Sequence, residues 1–200
     1  MNEQHLALLS EYDFIAVVDK SGSMSTPDMG GRSRWAYMQE TLVSFCRDLQ
    51  AIDSDGIGVV IFSGSGQVKE DGVTADRIAT LLESNRPSGS TPLAEALEAA
   101  LSLAGKSAKK DFIIVFTDGT PDDPEKVKTV IKRQAASQAT DDACTILFVQ
   151  VGHDPSATAY LRSLDDALTG AKFDIVDAKT ISELEKFSST TDLIFAAISD

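Results

Sequence analysis

Directly behind the apolar run Phe14-Ile-Ala-Val-Val18 the chain reads Asp19-Lys-Ser21-Gly-Ser23. One carboxylate and two hydroxyls at the mouth of an expected strand are hard oxygen donors. They suit a divalent cation such as Mg²⁺, which takes about six oxygens in near-octahedral array and keeps some waters. In isolation such a loop is more often a turn whose side chains bond their own backbone. Gly89-Ser-Thr91-Pro-Leu adds a third hydroxyl, and Phe116-Thr-Asp118-Gly119 adds a second carboxylate. With all three segments present, metal binding is the favoured reading of Asp19, Ser21, Ser23, Thr91 and Asp118. An EF-hand is excluded, because Met24 stands sixth from Asp19 where that loop needs Gly, and Gly30 twelfth where it needs Glu.

Strands and helices that alternate from end to end must position these groups. Residues 12–18, 58–62, 111–116, 145–151 and 173–176 are short apolar runs rich in Val, Ile and Phe. Runs of that kind suit strands covered on both faces, as in a parallel sheet. The more polar stretch 66–70 follows turn residues 63–66 and reads as an antiparallel edge strand. Trp35, Met38, Leu42, Phe45 and Leu49 fall at helical spacing behind Ser33, a suitable N-cap. Leu93 to Ala104 reads as a second helix that stops at Gly105, and Asp123-Pro124 opens a third. A short helix over 76–83, one lined by Ala157, Leu161, Leu164 and Leu168, and a last one from the capping box Thr180-Ile-Ser-Glu183 towards Ile198 complete the set.

The alternation predicts an α/β fold: a Rossmann-like, doubly wound three-layer sandwich. Its central sheet is mostly parallel with one antiparallel edge strand, and helices cover both faces. Ligands of such sheets gather beyond the carboxyl ends of the strands, near the switch in strand order. Asp19 and Asp118 each stand at such an end, and Thr91 precedes a helix on the same side. Residues 1–200 read as a single domain with its core over about 12–198, without repeats or linkers.

The balance of 18 Lys+Arg against 31 Asp+Glu gives a formal net charge of −13. Such a field disfavours nucleic acid and anionic bilayers as partners. It attracts cations only diffusely, so acidity by itself is no argument for a metal site. No apolar run approaches the roughly 20 residues of a spanning helix. The N-terminus shows no basic stretch followed by a long apolar one, which points to the cytoplasm. Cys46 and Cys144 both fall in core patterns and read as reduced packing residues.

In Asp19-Lys-Ser21-Gly-Ser23, Thr91 and Asp118-Gly119, the chain resembles the von Willebrand factor type A (vWA) domain family with its metal-ion-dependent adhesion site (MIDAS). The motifs match in order and spacing, and the hydrophobic frame agrees from Asp13 to about Ile198. The resemblance implies that Ser21, Ser23 and Thr91 ligate Mg²⁺ (or Mn²⁺ or Ca²⁺) through their hydroxyls, while Asp19 and Asp118 act through bridging water. It also implies a protein partner whose Asp or Glu fills the open coordination position. The domain would then be a non-enzymatic binding module, and one variant is an intracellular adaptor in an assembly with an AAA+ ATPase.

The stretch 25–34 is longer than in many members of that family and carries two arginines, Arg32 and Arg34. It lies at the rim of the expected ligand face and is a candidate for shaping partner choice. Thr91 also reads as the N-cap ahead of Pro92, where capping would compete with ligation. Asp122 is a candidate hydrogen-bonding support, Asp123 a helix N-cap, His153 a loop histidine, and Asp165-Asp166 surface charge.

The enzymatic alternative is a Mg-dependent phosphatase of haloacid-dehalogenase type with Asp19 as nucleophile. It is weakened by Ser21, which stands where that family places its second Asp. A Ser-His-Asp hydrolase is weaker still, since Ser63-Gly-Ser65-Gly66 is no strand-to-helix elbow.

Overall fold

The computed structural model describes residues 3–52, 54–166 and 168–198. In chain order the elements are α1 (Glu3–Leu9), β1 (Tyr12–Asp19), α2 (Arg34–Gln50), β2 (Ile57–Ser63), β3 (Gly66–Val73), α3 (Ala75–Glu83) and α4 (Leu93–Leu101). They continue with β4 (Lys110–Thr117), α5 (Pro124–Ser137), β5 (Cys144–Gln150), α6 (Pro155–Asp165), β6 (Val176–Thr180), α7 (Ile181–Leu184) and α8 (Thr190–Ile198). The sheet has six strands in the order β3-β2-β1-β4-β5-β6. All neighbours are parallel except β2 and β3. The expected mostly parallel sheet with one antiparallel edge strand is therefore what forms.

Period-two alternation divides each central strand between two cores. Phe14, Ala16 and Val18 of β1 join Phe112, Ile114 and Phe116 of β4 under α2, α3 and α8. Ile15 and Val17 join Ile113 and Val115 beneath α4, α5 and α6. Because both faces are covered, the strands are apolar nearly throughout. Cys46 lies in the first core and Cys144 in the second, both free and buried, and burial pushes each thiol up to about 12. Trp35 packs into the first core from the opening turn of α2, and the Ser33 hydroxyl accepts from Ala36 N to cap that helix.

Three expectations need correction. The last strand is Val176–Thr180, not 173–176. Its outer half carries Asp177 paired with Lys179, so the apolar signal ended before the strand did. Such charges blunt an edge that would otherwise template pairing. The final helix is two helices. The Thr180–Glu183 capping box forms as read, but α7 stops at Leu184, and the Ser189 hydroxyl accepts from Asp192 N at 3.1 Å to start α8. Asp165 is half-buried and accepts from Ala178 N at 3.1 Å, so of that acidic pair only Asp166 is plain surface charge. Helix α1 was not expected. It docks on α8, with His5 stacked on Phe195 at 4.0 Å between ring centroids.

Strand order reverses direction of growth at β1, which has β2 on one side and β4 on the other. The carboxyl ends of β1 and β4 therefore frame the switch point, and the sheet delivers Asp19 and Thr117 there.

Candidate metal centre

Asp19 is fully buried, and both of its carboxylate oxygens are held. One accepts from Ser21 N at 2.7 Å, the other from the Thr117 hydroxyl at 2.7 Å. The register Val18↔Phe116 already places Asp19 beside Thr117. Beyond Asp19 the chain winds through one 3-10 turn, Gly22–Ser25, whose Met24 is fully buried as a plug. That turn brings the Ser21 and Ser23 hydroxyls to 3.0 Å, and Ser23 donates to Asp118 Oδ1 at 2.8 Å. Four of the five expected residues thus form one hydrogen-bonded string. Burial drives the Asp19 carboxyl up to about 6, with Asp118 adding a smaller push in the same direction. A nearby cation would reverse that preference, because it stabilises the ionised form.

Thr91 reaches the site through its backbone. Ser88 N donates to Lys20 O at 2.8 Å, Gly22 N to Gly89 O at 2.9 Å, and Gly64 N to Ser90 O at 2.9 Å. Asp122 completes the lacing, accepting from Thr91 N at 3.0 Å while its own N–H donates to Thr91 O at 3.0 Å. This is the supporting bond expected of Asp122, and Asp123 caps α5 by accepting from Lys126 N. Thr91 is not the N-cap of α4. The cap position is Pro92 and the helix begins at Leu93, so the Thr91 side chain is not committed to capping.

The site contains a residue that motif reading did not assign to it. Arg34, the first residue of α2, donates from Nη1 to Asp118 Oδ2 at 2.8 Å. Its Nε and Nη2 grip Asp28 of the 25–34 stretch at 3.0 and 2.7 Å. That stretch is pinned by Arg34 N to Thr26 O at 3.0 Å and by a bridge between Met29 and Arg32. The guanidinium beside Asp28 holds that carboxyl below its usual range. His153 is exposed on the same rim, near Asp28. Thr117 was also missed, although its place immediately before Asp118 at the end of a strand was a usable signal.

Family comparison decides what this arrangement belongs to. The family model described as "von Willebrand factor type A domain" matches residues 14–120, more than half of the chain. The chain belongs to the von Willebrand factor type A domain family. No curated protein sequence matches it. Among solved structures, the vWA domain is similar to the crystal structure of the SpRpn10 VWA domain, at 10% identity and TM-score 0.63, covering 92% of this chain and 93% of that one. It is also similar to the manganese-loaded Plasmodium vivax TRAP protein, at 14% identity and TM-score 0.64, over 88% and 71% of the two chains. The pilus adhesin SpaC from Lactobacillus rhamnosus GG gives 15% identity and TM-score 0.62, with 92% of this chain matching 30% of that one. At these identities the likeness establishes the shared fold.

Among the described residues, no three His, Cys, Asp or Glu side chains converge as a metal-holding group. The oxygen groups gathered at this edge of the vWA domain are instead mixed. Ser21 and Ser23 are neutral hydroxyls, and Asp19 and Asp118 are the carboxylates bonded to the same loop. Ser23 uses its proton towards Asp118, so Ser21 is the donor across the 3.0 Å hydroxyl pair and one lone pair of the Ser23 oxygen stays open to a cation. That chemistry fits a hard divalent ion held loosely enough to keep an exchangeable position. An open-sided cleft of about 820 Å³, lined by Asp13, Gly58, Lys106 and Asp111 among others, lies at the opposite, amino ends of the strands. It shares no residue with this centre.

Proposed function

We propose that this vWA domain is a non-enzymatic protein-binding module that holds a divalent cation, Mg²⁺ first and Mn²⁺ or Ca²⁺ as alternatives, at its switch point. Ser21, Ser23 and Thr91 ligate the ion, and Asp19 and Asp118 neutralise it and orient its waters. An Asp or Glu of a partner protein fills the remaining position. The observation that carries this reading is the string Ser21–Ser23–Asp118, bonded at 3.0 and 2.8 Å at the carboxyl edge of the sheet. Three neutral hydroxyls and two carboxylates acting at a remove leave a dication under-neutralised, so it attracts an anionic ligand. A cage of direct carboxylates would hold the ion harder and recruit nothing. The whole 1–200 chain acts as one domain in this reading. Its place is the cytoplasm, with a protein assembly of AAA+ type as one setting. Among the described residues no helix is long and apolar enough to cross a membrane.

The test is retention of protein partners on the immobilised domain in Mg²⁺ and in EDTA, with a Ser21→Ala/Ser23→Ala variant as control. Retention that needs both Mg²⁺ and the two hydroxyls is expected. Equal retention in EDTA overturns the reading. The phosphatase alternative has an unfavourable starting point, because Asp19 is fully buried and each of its carboxylate oxygens already accepts a hydrogen bond. Turnover of p-nitrophenyl phosphate abolished by Asp19→Asn would revive it.

Metal affinity should also depend on pH with a defined sign. The Asp19 carboxyl is raised to about 6 by burial, so below that pH the metal-free site carries a proton there. An ion that requires the carboxylate must displace that proton. Mn²⁺ affinity is therefore expected to be nearly flat from pH 7 to 8, then to fall by up to about tenfold per pH unit below 6. Titration calorimetry at pH 5, 6, 7 and 8 reads this directly. An affinity independent of pH across that range would remove Asp19 from the ion's surroundings.

A further inference from the structure

Arginine is an odd choice for the first residue of α2. The free N–H groups at a helix N-terminus give it partial positive charge, and a cation there is disfavoured. The structure compensates with two carboxylates, Asp28 and Asp118, that share the Arg34 guanidinium, and the side chain is only 11% exposed. The fold also clears space for it. Gly152, just past β5, has φ +89°, and a Cβ there would lie 2.5 Å from Arg34 Nε and 2.8 Å from Cζ. The guanidinium is thus a seated group, placed against one of the two carboxylates assigned to the metal.

We propose that Arg34 is a tethered cation that competes with the divalent ion for Asp118, so that loading the ion requires Arg34 to surrender Asp118 while it keeps its grip on Asp28. This rests on the metal site proposed above. The charge arithmetic supports competition. Arg34 sets one positive charge against the three carboxylates Asp19, Asp28 and Asp118, and the arm that reaches Asp118 Oδ2 offsets part of the negative charge a dication would otherwise meet there. Release gives up only the Nη1 bond, while the Asp28 fork through Nε and Nη2 stays. The 25–34 stretch is then mechanically linked to the ion, because Asp28 and the Arg34 side chain move together. A vWA domain built this way loads only where the ion is abundant enough to outbid the arginine.

The experiment measures Mn²⁺ binding by electron paramagnetic resonance on the wild-type domain, Arg34→Gln and Arg34→Lys. Arg34→Gln is expected to bind about ten- to a hundredfold more tightly than wild type, with Arg34→Lys between them. Equal or weaker binding by Arg34→Gln overturns the competition while leaving the metal site standing. Absence of binding in all three proteins defeats the metal site and the competition with it. A second readout needs no variant: the Arg34 Nη1–H resonance of the wild type, the group bonded to Asp118, assigned through its side-chain carbons, during a titration with diamagnetic Mg²⁺. A shift that saturates together with metal binding is expected, and an unmoved resonance at saturating Mg²⁺ overturns the proposal even if Arg34→Gln fails to fold.

Discussion

Asp118→Ala is expected to weaken Mn²⁺ binding by about a hundredfold and to abolish Mg²⁺-dependent partner retention. The size of the effect follows from what Asp118 touches. Its Oδ1 accepts from Ser23 and fixes that hydroxyl, and its Oδ2 is bonded to Arg34 at 2.8 Å. Truncation therefore removes one of the two negative charges that favour a dication, and it frees the Ser23 hydroxyl to rotate away. It also leaves the guanidinium beside the site without its Asp118 counter-charge. The last consequence separates Asp118 from the hydroxyl ligands. In EDTA, Asp118→Ala should lose about 1 to 3 kcal/mol of stability, because a largely buried guanidinium loses one of its two acceptors. Ser21→Ala should lose far less. Calorimetry with Mn²⁺ and urea denaturation in EDTA read the two effects separately. Metal affinity within threefold of wild type would sink the assignment of Asp118, whatever the stability change.

The same contrast shows what the sequence made legible and where it stopped. Asp19, Ser21, Ser23 and Asp118 could be read because each sits at the end of an apolar run or within a few residues of one, where the fold class dictates convergence. Thr91 could be read as a third hydroxyl. Its role as an N-cap was wrong because Pro92 can itself occupy the cap position, and the Thr91 carbonyl is engaged by Asp122 N and Leu93 N instead. Strand β6 was misplaced because hydrophobicity marks burial on both faces. An edge strand that carries the Asp177–Lys179 ion pair has no such mark. Arg34 was beyond reach for a different reason. Its guanidinium meets Asp118 only because the 25–34 stretch folds back through the Met29–Arg32 bridge and because Gly152 leaves room. Neither condition is a pattern in the chain. Short-range chemistry was legible, whereas a long side chain's destination depends on tertiary geometry that periodicity does not encode.

Gly89→Ala is expected to cost about 3 to 5 kcal/mol and to weaken metal binding at the same time. Gly89 has φ +82°, and a Cβ there would stand 2.7 Å from Ser65 N and 3.2 Å from the Gly64 carbonyl carbon. These are backbone atoms, which cannot swing aside as a side chain could. Left-handed backbone alone costs a non-glycine residue roughly 1 to 2 kcal/mol. The remainder comes from pushing the 88–91 loop off the end of β2, which breaks Gly22 N to Gly89 O and Gly64 N to Ser90 O. Together with the Asp122 pair those bonds carry Thr91 to the site, so the stability loss and the loss of metal affinity share one cause. Gly170→Ala is the matched control. It has φ +84° and open space within 4 Å of its Cβ, so it carries the same backbone strain with no collision. Urea denaturation in EDTA should therefore separate the two variants by about 2 kcal/mol or more, with Mn²⁺ affinity falling only in Gly89→Ala. Equal losses would mean that the loop tolerates the displacement and that Thr91 is held by something other than these two backbone bonds.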